Sequence, residues 1–305
     1  MKRSLLALTG GFSLAAFLFL QTGCSTVAQY STIAGQAAGV ITADQAESIN
    51  RTAVAVEKTY QDITPEQEYY IGRSVVATVL STYKPCDVEA LNQYVNLLGQ
   101  TLALYSDKPE TFGGYHFLMM NTDEINAFAA PGGLILVSRG LLRCCRSEDA
   151  LAAVLAHEIG HVQNQHGLRA IKKGRLTSAL TVLALEAGKN LAGQDLAEVT
   201  RAFEGSITDI SSTLMNSGYA RALECDADAA AVQIMTRAGY NPHALVDLLT
   251  VMKTRLASDT RGFGRTHPSP ESRIQQISGL IGAQPNPVAP AARQQRFAAV
   301  IGMLR

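Results

Sequence analysis

A helix that carries two histidines one turn apart constrains this chain more than any other feature of its sequence. Ser147 can cap the helix, two acidic residues follow it in the first turn, and apolar residues then recur with helical spacing. Residues 157–161 of this helix read His-Glu-Ile-Gly-His. At about 3.6 residues per turn, His157 and His161 share one face and can bind one metal ion, whereas Glu158 points roughly 100° away.

This pattern predicts zinc chemistry. Imidazole nitrogens suit Zn²⁺, and a carboxylate beside the metal but not on it can act as a general base. We therefore predict one zinc ion per chain, with His157 and His161 as ligands and Glu158 as a catalytic residue. His166 lies off the ligand face of the helix, so we interpret it as a cap of the helix carbonyls.

The third zinc ligand is predicted on a second helix, at about residues 218–237. Glu224 and Asp228 are one turn apart there. Glu224 can reach the metal, and Asp228 can accept a hydrogen bond from the N–H of a ligand histidine. The alternative for Asp228 is ordinary solvated acidity, which is the interpretation we favour for Asp226.

Five separated motifs resemble a known family. They are residues 157–161, Glu224 with Ala227 and Asp228, residues 126–133, residues 140–142, and Thr266-His267-Pro268 with Arg273. Together they resemble the HtpX and CAAX prenyl protease type of zinc metallopeptidase (peptidase family M48), and most closely its exported bacterial branch. The resemblance covers about residues 62–280, with the motifs in the family's order.

The resemblance implies an α+β fold, mainly helical, of the gluzincin type, with a small β-sheet edging the active-site cleft. It also implies that Glu224 is the third zinc ligand. One strand of the sheet would pair with an extended substrate. The residues of that strand are Asn126, Ala127, Phe128 and Ala129.

The resemblance further implies two polar groups near the metal. His267 would block or tune the open coordination position, and Arg273 would stabilise the tetrahedral oxyanion. A purely structural capping role is the alternative for both residues.

The rest of the chain is predicted as helices with two short strands. The helices follow Thr64, span 87–105, form a cover over the cleft at 176–216, and follow Asn241 and Ser269. The strands are Tyr115–Met120 and Gly133–Val137. A Pro-rich tail, 283–305, follows the domain at 62–282, and we expect it to end loosely or to act as an autoinhibitory plug.

The N-terminus predicts export. Lys2 and Arg3 precede an apolar run that ends before Gly-Cys24, so residues 1–23 are typical of a lipoprotein-like signal peptide. Cys24 would then be lipidated as the first mature residue, and 24–61 would be a tether with an N-terminal helix. We expect an outer-membrane lipoprotein facing the periplasm, attached to the membrane through this lipid only. The alternative is plain cleavage that discards Cys24.

Four cysteines remain after Cys24, in a compartment where disulfides survive. We predict that Cys86 pairs with Cys144 or Cys145, and the alternative is that the thiols are free and buried. Cys225 is the fourth.

Composition limits the function. The chain has 26 Lys and Arg against 26 Asp and Glu, which excludes nucleic acid as its main partner. Our leading hypothesis is a zinc-dependent endopeptidase that acts on misfolded or unassembled cell-envelope proteins, where the resemblance supplies the substrate class. The second hypothesis is a largely latent protease that acts as a periplasmic chaperone or assembly factor and binds extended segments.

Overall fold

The computed structural model describes residues 63–170, 204–205, 207–256, 267 and 270–304. The chain divides into two units, Met1–Ile63 and Thr64–Arg305, and the described residues belong almost entirely to the second. The predicted signal peptide with Cys24, the tether at 24–61 and most of the helical cover at 176–216 lie outside the described residues. Among those described, no helix combines the length and the apolar character needed to cross a membrane.

Two helices precede the sheet: α1, Pro65–Thr82, and α2, Glu89–Ala103. The predicted Thr64 cap is confirmed, and it is a capping box, because Gln67 donates its backbone N–H to Thr64 Oγ1 and accepts the Thr64 N–H through Oε1. The side chains of Asn92 and Asn96 on α2 accept backbone N–H groups from the first strand. These bonds satisfy one outer edge of the sheet.

The described residues form one three-stranded sheet with the order β1-β3-β2. Its strands are β1 (His116–Met120), β2 (Ala127–Ala130) and β3 (Leu134–Ser138). β1 runs parallel and β2 antiparallel to β3, with Phe128 opposite Leu136. The turn between β2 and β3 needs glycine, because Gly132 and Gly133 have φ angles of 76° and 91°. β2 is thus an edge strand, yet all four of its residues are buried.

The helix predicted from the histidine motif is the centre of the domain. α3 (Arg139–Leu142), α4 (Glu148–Gln163) and α5 (His166–Arg169) follow the sheet. Ser147 caps α4 by accepting the N–H of Ala150, as the sequence predicts. α4 ends at Gln163, and two residues later Gln165 adopts a left-handed conformation with φ 53°, which turns the chain.

α4 packs closely against a second long helix. Residues 207–212 are helical and run into a π-helical turn, Thr213–Ser217, before α6 (Arg221–Arg237). Gly160 allows the close approach of α6 to α4, since a Cβ added there would lie 2.9 Å from the carbonyl oxygen of Ala227 and 3.0 Å from Cβ of Ala230. A larger residue at position 160 would push α6 away.

The C-terminal segment is part of the domain. α7 (His243–Leu256), α8 (Pro270–Ile281) and α9 (Ala291–Ile301) complete the helices in chain order. α9 buries Phe297 and Val300, and its two arginines contact the first turn of α4: Arg293 pairs with Asp149, and Arg296 pairs with Glu148. The described tail therefore neither ends loosely nor plugs the site. Its contacts hold the first turn of α4, which is the end of that helix opposite the histidines.

The predicted disulfide is wrong, and the alternative of free thiols holds. Cys86, Cys144, Cys145 and Cys225 are all free, and the first three are buried. The thiols of Cys144 and Cys145 point to carbonyl oxygens one turn earlier, those of Gly140 and Leu141. Local helical geometry thus directs both thiols along their own segment rather than toward Cys86.

Candidate metal centre

Four of the predicted site residues converge on one buried point. His157 and His161 come from α4, Glu224 comes from the first turn of α6, and His267 comes from the segment before α8. One possible ligand atom from each of these residues lies within 4.8 Å of the others. This is a group that could hold a metal ion.

The distances within the group suit a zinc ion. The Nε2 atoms of His157 and His161 are 3.1 Å apart, and the carboxylate of Glu224 lies 3.6 Å and 3.4 Å from them. Ligands at tetrahedral corners about a zinc ion are separated by roughly 3.3 Å. Oε1 of Glu224 is buried and has no hydrogen-bond partner among the described residues, which is the situation of an acceptor that needs a cation. Two imidazoles and one carboxylate are also a donor set that zinc hydrolases use.

Glu158 stands beside this group and outside it. Its side chain is buried, and its Oε1 has no hydrogen-bond partner among the described residues. Glu158 also lines a space of about 10 Å³, together with Phe128, Tyr219 and His267. That volume is close to the room that one water needs. The carboxylate therefore lies next to the candidate ligands without being one of them, and its catalytic role stays a prediction.

The far side of His157 is fixed by an ion pair. Nδ1 of His157 lies 3.0 Å from Oδ1 of Asp228, and Arg273 binds both oxygens of Asp228, at 2.9 Å from Nε and 2.6 Å from Nη2. Burial alone would raise the pKa of Asp228, but Arg273 and His157 hold that pKa well below its usual value. Asp228 is thus a buried, ionised acceptor rather than a solvated surface acid.

Arg273 therefore holds the carboxylate of Asp228 in place through its guanidinium. Its guanidinium is buried, and one Nη1 atom reaches within 3.9 Å of Glu224 Oε2. The predicted contact of Arg273 with an oxyanion stays a prediction. A positioning role, through Asp228 on His157, is what its contacts support.

His267 lies against the third predicted ligand. Nδ1 of His267 is 2.7 Å from Oε2 of Glu224, and the His267 side chain is 5 % exposed. Although burial raises the pKa of Glu224, His267 and the two α4 histidines hold it well below its usual value. His267 thus lies close enough to occupy or adjust a fourth position at a metal.

His166 differs from the sequence prediction. It is fully buried, and its Nδ1 lies 2.9 Å from Nδ1 of His161 rather than at helix carbonyls. Burial, with His161 and Arg169 nearby, lowers the pKa of His166 to about 2. The helical projection failed here because the left-handed residue Gln165 turns the chain before His166.

Tyr219 covers the site and was not predicted. Its ring stacks on His161 with centroids 4.4 Å apart and an interplanar angle of 21°, and its hydroxyl lies 3.5 Å from the carbonyl oxygen of Ala129 on β2. Burial, then Glu158 and Glu224, raise the pKa of Tyr219, so its hydroxyl stays protonated. The only sequence signal was an aromatic residue just before the α6 start.

The predicted substrate strand is the edge strand β2 and the residue before it. Asn126 is buried; its Oδ1 accepts the N–H of Ala127, and its own N–H binds Oγ of Ser138. Asn126 therefore shapes the start of β2. Ala127, Phe128 and Ala129 line the same small space as Glu158, which puts the edge strand at the candidate site.

Comparisons with known proteins agree with this site. The family model described as peptidase family M48 matches residues 89–281, which include every predicted ligand. The chain is 30% identical over 210 residues to the beta-barrel assembly-enhancing protease of Escherichia coli (strain K12), which covers 68% of this chain and 42% of that protein. The putative beta-barrel assembly-enhancing protease of Vibrio cholerae is 31% identical over 219 residues, or 70% of this chain and 43% of that protein.

A mitochondrial relative shows the same similarity. The metalloendopeptidase OMA1 of Schizosaccharomyces pombe is 34% identical over 158 residues, which cover 50% of this chain and 42% of that protein. The chain thus spans less than half the length of these curated relatives. M48 metallopeptidases use zinc, in agreement with the buried His and Glu donors. The family match and the convergent donor set lead to one conclusion: this chain belongs to peptidase family M48, the zinc metallopeptidases that the sequence motifs resembled.

Proposed function

We propose that this chain is a zinc-dependent endopeptidase that hydrolyses peptide bonds in misfolded or unassembled cell-envelope proteins. The observation that carries the proposal is the buried group of His157, His161 and Glu224, with Glu158 beside it, whose Oε1 has no hydrogen-bond partner in the described part of the chain. His157, His161 and Glu224 would hold the zinc. When bound, zinc supplies Lewis acidity that polarises the peptide carbonyl and makes water a nucleophile near neutral pH.

The reaction then depends on proton transfer through the Glu158 carboxylate. Glu158 lies outside the ligand group, so its carboxylate can take a proton from the attacking water and pass it to the leaving amine. The space of about 10 Å³ that Glu158 lines allows one small molecule there. Asp228 orients His157 through Nδ1, and Arg273 keeps Asp228 ionised.

The proposed substrate binds as an extended segment along β2. An edge strand offers backbone groups for a further strand, and Ala127, Phe128 and Ala129 line the same small space as Glu158. The class of substrate is supported by the names of two relatives, which are assembly-enhancing proteases for β-barrels.

We also propose a location in the periplasm, through removal of residues 1–23 and lipidation of Cys24. The support is the basic, then apolar, then Gly-Cys sequence at the N-terminus. Radiolabelled palmitate should enter the unaltered chain and not Cys24→Ser. Label in both, or in neither, would contradict lipidation at this residue.

A second candidate function is a latent protease that acts as a chaperone or assembly factor. Two observations favour it: His267 lies 2.7 Å from Glu224, and Tyr219 lies over the edge strand at Ala129. In that state the chain would bind extended segments without cutting them until these two side chains move.

The experiment is zinc content together with cleavage of casein and of an unfolded outer-membrane protein, on the unaltered chain and on His267→Ala. We expect about one zinc per chain in both, with faster cleavage by the variant. Zinc without cleavage in either protein would favour the chaperone. Absence of zinc from the unaltered chain would contradict both functions. His243→Ala is the matched control, because His243 contacts a backbone carbonyl away from the site.

A further inference from the structure

The two predicted ligand histidines differ in what their outer nitrogens contact. Nδ1 of His157 faces the carboxylate of Asp228 at 3.0 Å. Nδ1 of His161 faces the imidazole of His166 at 2.9 Å, and His166 is fully buried. The sequence analysis predicted one such partner, Asp228, for a ligand histidine, and it predicted no second partner.

The direction of the bond between His161 and His166 follows from proton counting. Nε2 of His161 faces His157 and Glu224, so this nitrogen must keep its lone pair to bind a cation. The ring proton of neutral His161 is then on Nδ1, and it can only be donated. His166 must therefore accept through its own Nδ1, which puts its proton on Nε2.

The surroundings of His166 agree with an acceptor role. Nε2 of His166 is buried and has no hydrogen-bond partner among the described residues, so Nδ1 carries the one polar contact of the ring. A buried imidazole that keeps one nitrogen unpaired has a free-energy cost, which an orienting role for the other nitrogen would explain.

The backbone fixes this contact. The left-handed conformation of Gln165, at φ 53°, ends α4 and turns the chain so that His166 faces back toward His161. Gly167 then packs against the turn after β2, since a Cβ added there would lie 3.0 Å from Cγ of Pro131. α5 and the edge-strand turn thus hold His166 in place.

We propose that His166 is a positioning residue: its Nδ1 accepts the N–H of His161 and so presents the Nε2 lone pair of His161 to the metal. The proposal deepens the proposed function and depends on the same ligands. It adds a neutral nitrogen partner on one ligand histidine, opposite the carboxylate partner on the other.

The first test compares two substitutions of His166 for zinc affinity, measured by competition with a chelator. His166→Leu keeps a similar volume and removes the acceptor, and we expect about 10–100-fold weaker zinc binding. His166→Asn offers an amide oxygen near the position of Nδ1, and we expect affinity within about threefold of the unaltered chain. His116→Leu is the control, because His116 is exposed and its ring is hydrogen-bonded to the Gly113 carbonyl.

A second measurement does not depend on the variants folding. Two-bond ¹H–¹⁵N spectra of the zinc-loaded, histidine-labelled chain distinguish the two neutral tautomers. We expect His161 protonated on Nδ1 and His166 protonated on Nε2. A His166 ring protonated on Nδ1 would overturn the proposal, as would full zinc affinity in a folded His166→Leu chain or equal losses in the Leu and Asn variants.

These outcomes separate this proposal from the proposed function. If the unaltered chain binds no zinc, the proposed function fails. If the unaltered chain and His166→Leu bind zinc equally, the ligands stand and only the role of His166 fails. Thermal unfolding of each variant in chelator shows whether the metal-free fold is intact.

Discussion

Glu148 and Glu158 lie on the same helix and are each 2 % exposed, but their surroundings are opposite. Glu148 accepts hydrogen bonds from Tyr94 at 2.9 Å and from Tyr240 at 3.0 Å, and Arg296 binds both of its oxygens. Glu158 has one oxygen with no hydrogen-bond partner among the described residues. The two carboxylates are therefore equally buried, but they differ in how fully their oxygens are hydrogen-bonded.

The difference separates a structural carboxylate from a reactive one. A buried carboxylate with four hydrogen bonds from donors is held in one place, which fixes the first turn of α4. A buried carboxylate with an unpaired oxygen keeps that oxygen free to exchange a proton. The comparison predicts that matched substitutions at the two positions affect different properties.

The largest expected effect is on catalysis at Glu158. Glu158→Gln should lower kcat by about 10²–10⁴-fold while zinc content and unfolding temperature stay unchanged, because the amide cannot take the proton. Peptide cleavage and metal analysis measure both. Peptidase activity retained in this variant would contradict the assignment of Glu158 as the base.

The matched substitution at the other end of α4, at Glu148, should lower the stability of the fold. Glu148→Gln removes the charge that Arg296 and two tyrosine hydroxyls bind, so we expect a loss on the order of 3 kcal/mol in the free energy of unfolding. Urea unfolding measures it. Cleavage by the folded fraction should persist, and a Glu148→Gln chain that is stable but inactive would break the comparison.

The tyrosines at Glu148 predict a loss of stability at alkaline pH. Burial and then Glu148 raise the pKa of Tyr240 to about 12. The unfolded chain releases this proton near pH 10, so ionisation favours unfolding, and the stabilising contribution is complete below pH 10 and lost as the pH rises to about 12. Urea unfolding from pH 8 to pH 11 should show a shallower fall for Tyr240→Phe, and equal slopes would contradict the prediction.

The smallest effect is expected at Arg296. Its side chain is 53 % exposed, so Arg296→Ala should cost about 1 kcal/mol or less of unfolding free energy, and salt should reduce the difference. Thermal unfolding at low and high ionic strength measures it. A loss larger than that of Glu148→Gln would mean that α9 holds α4 through packing rather than charge.

The sequence could predict those features that depend on local periodicity. The Ser147 cap and the spacing of one helical turn from His157 to His161 are properties of a single helix, and the structure has both. The fold class and Glu224 needed the family resemblance in addition, because no local rule brings α6 to α4. The resemblance also indicated β2, whose four buried residues show no alternation.

The remaining features depend on contacts between distant residues or on a single unusual backbone angle. His166 was misread because one left-handed residue, Gln165, breaks the helical projection. Tyr219 precedes its helix and has no periodic signal. Arg296 binds Glu148 although the two residues are 148 positions apart in the sequence, and no motif predicts such a pairing.

The anchoring of α4 by α9 has a consequence for the order in which the chain is made. The ligand histidines are synthesised well before the arginines that fix the first turn of their helix. A chain whose C-terminal segment has not yet emerged therefore lacks part of the frame around its metal group. The first turn of the helix that bears the ligand histidines would therefore gain its full stability only once α9 has been made and has packed against it.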